Sequence, residues 1–217
     1  MGPENLSRRE LLVRGGVTAA ALTVAGTGVA QAEPDARPGE VVLRQGTNMA
    51  AALSPDGRWI AVDLVTGIWV LPAAGGRARR LTGDLQDATL PSWSPDGRRI
   101  AFQSYRDGNF HLYVVDVAGG PPRQLTTGRF DHREPVFSPD GTKIAFSSDR
   151  DGSYGIHLLD VVSGAIGTVV STADEEASPR WSADGTKIVF TVNDTAIDVV
   201  TLATGARTRL VTATGTD

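Results

Sequence analysis

The sequence predicts an all-β fold, a β-propeller carrying four four-stranded blades. Three features predict it. A Ser-x-Asp-Gly tetrapeptide recurs four times, a large apolar residue stands before each copy, and a short apolar strand follows each one. Such self-similarity, with turn residues between short apolar runs and no sustained 3.6-residue apolar period, marks repeated small sheets.

The copies are Ser54-Pro55-Asp56-Gly57, Ser94-Pro95-Asp96-Gly97, Ser138-Pro139-Asp140-Gly141 and Ser182-Ala183-Asp184-Gly185, spaced by 40, 44 and 44 residues. Leu53, Trp93, Phe137 and Trp181 precede them. Proline presets φ, aspartate bonds back to the local backbone and glycine accepts positive φ, so each tetrapeptide reads as a turn between two strands. The second strands are Ile60-Ala61-Val62, Ile100-Ala101-Phe102, Ile144-Ala145-Phe146 and Ile188-Val189-Phe190.

A second turn follows at Arg106-Asp107-Gly108 and Arg150-Asp151-Gly152; it is shortened around Thr66-Gly67 in the first unit and reads Asn193-Asp194 in the fourth. Third strands begin at Ile68, Leu112, Ile156 and Ile197. After a Gly-bearing turn, the fourth strands end on Leu81-Thr82, Leu125-Thr126, Val169-Val170 and Leu210-Val211. One four-stranded sheet cannot bury both its faces alone, so the units must stack around an axis. The expected blades span about 48–86, 87–130, 131–174 and 175–217.

Ahead of them, residues 1–32 read as an address. Ser7-Arg8-Arg9-Glu10-Leu11-Leu12 resembles a twin-arginine export signal. A short stretch rich in Ala, Gly, Thr and Val then closes on Ala30-Gln31-Ala32, the small-x-small pattern of a cleavage site. The stretch is short and glycine-rich for a membrane span, so a cleaved signal and no membrane contact thereafter are expected. Residues 33–40, with Pro34 and Pro38, read as a linker, and the propeller begins at residue 41. The expected compartment is periplasmic or extracellular.

The pattern apolar-Ser-Pro-Asp-Gly, Ile-Ala-Phe, Arg-Asp-Gly, Leu-Thr resembles the TolB-type (WD40-like) propeller repeat, best over Pro91 to Thr126. The resemblance implies fold firmly and function loosely. It points to a binding scaffold of the cell envelope, or to the propeller part of an exported amidohydrolase or prolyl-oligopeptidase-like hydrolase. Gln45-Gly46-Thr47-Asn48-Met49 and Asp131-His132-Arg133-Glu134-Pro135 look most like the propeller preceding an amidohydrolase, which is therefore preferred over a peptidase. Such propellers usually have six or more blades. Either sequence elsewhere completes the ring, with Val41-Val42-Leu43 as a latching strand, or the units form an open arc whose bare sheet faces invite self-association.

Chemistry is scarce. The chain has no cysteine, which removes thiolate nucleophiles and thiolate metal sites. No Gly-x-Ser-x-Gly and no His-x-His pair occurs, and no helix follows the double glycines to make a phosphate cradle. Of the three histidines, His111, His132 and His157, no two are near in sequence, and the strand residues His111 and His157 read as half-buried structural side chains. No cofactor, metal or catalytic set is expected, and a net charge of −4 argues against nucleic acid as partner.

One constellation remains. Strand alternation brings the loops entering each blade and the second-to-third turns to one end of the propeller. These carry Asp87, Asp131, His132, Arg133, Glu134 and Glu175, with Arg106, Asp107, Arg150 and Asp151. The expected use is docking of a protein partner, a polar peptide or a covalently following catalytic domain. The competing reading is that solvated loops are charged, and that Arg and Asp pair across blades.

Overall fold

A computed structural model of the chain describes residues 49–83 and 87–212, together with the backbone of two short strands, β1 (Leu22–Thr23) and β2 (Arg44–Gln45), paired in parallel. Apart from those strands, the address, the linker and Val41 to Leu43 lie outside the described residues. So do Gly46 to Asn48.

The described residues form four antiparallel four-stranded sheets. Blade 1 comprises β3 (Ala51–Leu53), β4 (Trp59–Leu64), β5 (Gly67–Pro72) and β6 (Arg79–Arg80). Blade 2 comprises β7 (Ala88–Trp93), β8 (Arg99–Arg106), β9 (Asn109–Asp116) and β10 (Arg123–Gln124). Blade 3 comprises β11 (His132–Phe137), β12 (Lys143–Ser148), β13 (Gly155–Asp160) and β14 (Ile166–Val170). Blade 4 comprises β15 (Glu176–Trp181), β16 (Lys187–Val192), β17 (Ala196–Thr201) and β18 (Arg207–Thr212). None is closed into a barrel, and the blades form an open arc.

Each tetrapeptide folds as its chemistry demands. Ser54 Oγ donates to Asp56 Oδ1 at 2.6 Å and accepts the Trp59 amide at 2.9 Å, while Gly57 takes φ +72°. Gly97, Gly141 and Gly185 repeat the left-handed conformation at +69°, +72° and +70°. These bonds account for the recurring aspartates as turn formers.

The middle strands are buried on both faces, and alternate residues serve different neighbours. Phe102 and Tyr113 pack with Ala61, Ile68 and Val70 of blade 1. Ala101, Leu112 and Val114 pack with Phe137, Ile144 and Phe146 of blade 3. Ala145 and Ile156 pack with Ile188, Phe190 and Val200 of blade 4.

The residue before each turn packs on the preceding blade. Trp93 Nε1 donates to Ala52 O at 2.9 Å and Trp181 Nε1 to Val136 O at 3.1 Å. Leu53 occupies the same position in blade 1, with no described blade before it, and is 60% exposed.

The outer strands differ from expectation. In blades 1 and 2 they are two residues long and stop before Leu81-Thr82 and Leu125-Thr126. There the threonine hydroxyl takes the place of a ladder carbonyl: Thr82 Oγ1 accepts the Ile68 amide at 2.8 Å and Thr126 Oγ1 the Leu112 amide at 2.9 Å.

Candidate functional site

The innermost strands β7, β11 and β15 each carry a bulge, between Thr89 and Ser92, Arg133 and Val136, and Ala177 and Arg180. A non-glycine residue in each takes left-handed φ: Leu90 at +54°, Glu134 at +58° and Ser178 at +53°. That conformation costs an L-residue roughly 1–2 kcal/mol. What offsets it is a hydrogen bond from the bulge amide to the preceding blade.

The Leu90 amide donates to Asp63 Oδ2 at 2.8 Å, and the Glu134 amide to Gln103 Oε1 at 2.8 Å. At the third seam the equivalent acceptor position holds Ser147, whose side chain is shorter. The Glu134 carboxylate supplies the acceptor instead, taking the Ser178 amide at 2.6 Å, the Ser178 hydroxyl at 3.0 Å and the Ser147 hydroxyl at 2.8 Å. Asp63 also accepts the Ala50 amide at 2.7 Å. Burial pushes its carboxyl above the ordinary value despite both amides.

These bulges surround an axial groove of about 450 Å³, walled by all four innermost strands, with Leu90, Ser92, Glu134, Ser178 and Arg180 among its lining. The entering loops and second-to-third turns gather at the end of the blades away from the Ser-x-Asp-Gly turns. Asp131 is tied there by the Phe110 amide at 2.8 Å, the Tyr154 hydroxyl at 2.8 Å and the Arg133 guanidinium at 2.5 Å. Burial raises its carboxyl, but those three donors outweigh burial and hold it below the ordinary range. The Arg133 guanidinium stacks over the Phe110 ring of blade 2 at 4.4 Å and over Tyr154 at 5.3 Å. Aspartate and arginine thus pair within one blade, and the arginine reaches the neighbour through its π-face contact.

His132 is buried, 3% exposed. Its ring lies 5.9 Å from that of His111 and 5.4 Å from Phe146, which lies 5.6 Å from His157. His111 and His157 are also buried, more deeply than the half-burial expected of them. Burial first, then the His111 and Arg150 charges, pull His132 down to about 4. Burial lowers the other two as well.

Of the remaining predicted residues, Asp87, Asp107, Asp151 and Glu175 are exposed, and Arg106 and Arg150 half-exposed. Arg106 stacks over Tyr113 at 5.1 Å, Asp151 accepts the Thr168 hydroxyl at 3.0 Å, and the Glu175 amide donates to Asn193 Oδ1 at 2.9 Å. The expected ring therefore divides into an inner set, Asp131 to Glu134, engaged between blades, and an outer set of exposed or half-exposed side chains. Sequence reading missed Asp63, Gln103 and Ser147; their shared repeat position was a usable signal. Among the described residues, no group of three His, Asp or Glu side chains is placed to hold a metal.

Residues 35–128 and 90–217 match the family model described as the TolB beta propeller domain. The chain belongs to the TolB β-propeller family. Its fold matches a TolB structure from Agrobacterium tumefaciens with a TM-score of 0.68 and 27% identity, covering 73% of this chain and 63% of that one. A TolB from Acinetobacter baumannii matches with a TM-score of 0.66 and 24% identity, over 82% of this chain and 46% of that one. The chain thus spans less than two thirds of either TolB.

Two hydrolases also resemble it. Sixty residues, 28% of this chain and 6% of the relative, are 37% identical to Tricorn protease homolog 1 of Streptomyces coelicolor. A puromycin hydrolase mutant complexed with PGG shares the fold, with a TM-score of 0.56 and 21% identity over 74% of this chain and 28% of that one. These relatives are peptidase-type hydrolases. They overturn the preference for an amidohydrolase drawn from Gln45 to Met49 and Asp131 to Pro135.

Proposed function

We propose that this TolB-type propeller is an exported scaffold whose loop-bearing end docks a protein partner or polar peptide, without catalysis of its own. The observation that carries the reading is the mounting of Arg133: its guanidinium is held between two rings and an aspartate and is still 39% exposed, at the loop-bearing end of the blades. Rigid mounting lowers the entropy lost when a partner binds. Around it Asp87, Asp107, Asp151 and Glu175 offer carboxylates, and Arg106 and Arg150 guanidinia, to a polar ligand. Kinship with TolB and the twin-arginine-like start support an exported, periplasmic or extracellular scaffold.

The test is a photo-crosslinking residue at Asp107 or Asp151 of the native protein in its source cells. A discrete adduct, lost on Arg133→Glu with the fold retained, supports docking at this end. Absence of an adduct from both positions, or an adduct indifferent to Arg133→Glu, overturns it.

A second reading is favoured by the 60-residue likeness to the tricorn protease homologue. Here the propeller is one part of a longer peptidase-type hydrolase, and the docked partner is a covalently joined catalytic domain or its peptide substrate. A peptidase assay of the immunopurified native protein separates the readings, since hydrolysis of a peptide substrate fits only the second.

A further inference from the structure

At the opposite end, where the Ser-x-Asp-Gly turns lie, the three seams between blades are covered differently. Between blades 1 and 2, Arg79 of β6 reaches across and donates through Nη2 to Val117 O. Between blades 2 and 3, the Arg99 guanidinium lies over the Phe137 ring at 5.9 Å, and Arg123 of β10 stands where Arg79 stands in β6. Between blades 3 and 4 both coverings are gone. Gly167, paired with Leu158, occupies the Arg79 position, and a Cβ there would meet open space. Lys143, in the place of Arg99, pairs instead with Asp160 at 3.6 Å.

The outcome is a groove of about 710 Å³ between blades 3 and 4. Leu158, Val169, Val200 and Leu202 line it beside Trp181, which is half-buried where Trp93 and Phe137 are only 8% and 6% exposed. Its rim carries the carboxylates of Asp140 and Asp184, each held in the charged form chiefly by a neighbouring serine hydroxyl. Against them stands one lining cation, Lys143, already paired. Leu202 holds the turn position of Val117: its amide donates to Thr186 O at 3.0 Å as the Val117 amide donates to Arg98 O at 2.8 Å. The carbonyl that receives a guanidinium at the first seam thus has a counterpart at the third, without the arginine.

We propose that this groove binds an arginine side chain, with an adjacent apolar residue, from an extended segment of a protein partner. The partner supplies in trans the guanidinium that Arg79 supplies within the chain at the first seam. The aliphatic stem lies along Trp181 and Leu158, and the head meets the Leu202 carbonyl and the acidic rim. This site is independent of the loop-bearing end.

The experiment titrates the full chain with N-acetyl-leucyl-arginine amide and follows the four tryptophan indole signals by NMR. The expected result is a saturable shift of Trp181, at least fivefold weaker with the citrulline counterpart, which keeps the shape and loses the charge. Gly167→Arg is expected to fill the groove and weaken binding at least tenfold, whereas Gly167→Ala leaves it within twofold. No shift of Trp181, equal binding of the citrulline peptide, or undiminished binding by a folded Gly167→Arg chain overturns the proposal. The citrulline comparison needs no variant, so it stands whether or not Gly167→Arg folds.

Discussion

Glu134 and Ser178 occupy equivalent positions 44 residues apart in successive blades, and the carboxylate of the first accepts the amide of the second at 2.6 Å. A repeat position that elsewhere only donates here also accepts. Glu134→Ala would leave a strained bulge amide and the Ser147 hydroxyl without this acceptor. The expected loss is about 2 kcal/mol in denaturant unfolding, with a smaller loss for Glu134→Gln.

His132 makes stability depend on pH. Its folded value, about 4, lies below the ordinary 6.5, so the unfolded chain binds more protons between those limits. Stability should fall as pH drops from about 6.5 towards 4, by up to roughly 3 kcal/mol from this residue. Below 4 the histidine adds nothing further. His132→Phe should flatten the dependence between pH 7 and 5, measured as the shift of the urea midpoint. Lowered values at His111 and His157 leave a residual slope of the same sign.

Trp93→Phe should cost about 1 kcal/mol, the worth of the lost bond to Ala52 O and little more. Phe137 already serves at the equivalent seam with no such donor. Trp93→Ala should cost about 3–5 kcal/mol, because Trp93 is buried against blade 1. Thermal melts of the two variants provide the comparison.

Two glycines separate backbone strain from contact between blades. Gly57 and Gly141 share φ +72°, but a Cβ at Gly57 meets nothing within 4 Å, whereas one at Gly141 comes 3.3 Å from Pro95 Cδ. Gly57→Ala should cost about 1 kcal/mol and Gly141→Ala measurably more. Equal losses in chemical denaturation would show that the Pro95 contact yields freely.

The blades were legible because turn chemistry is local: Ser54, Asp56 and Gly57 bond to one another within a few residues, so their spacing alone exposes the repeat. The bulges were not. Leu90, Glu134 and Ser178 share no side-chain chemistry that signals left-handed φ, and their bonds depend on the neighbouring blade. The charged loop end was located by strand alternation, yet sequence could not separate His132, which the seam buries, from Arg133 beside it. Gly167 carries no signal within its own blade; its meaning comes from Arg79 at the same repeat position two blades earlier.

In every described seam the acceptor precedes the amide it serves: Asp63 comes before Leu90, Gln103 before Glu134, and Glu134 before Ser178. A ribosome therefore delivers each receiving group ahead of the strained bulge that depends on it. The arc can be assembled in the direction of its own synthesis, every new blade docking on a finished template. Reversing that order by circular permutation would leave a bulge waiting for its partner.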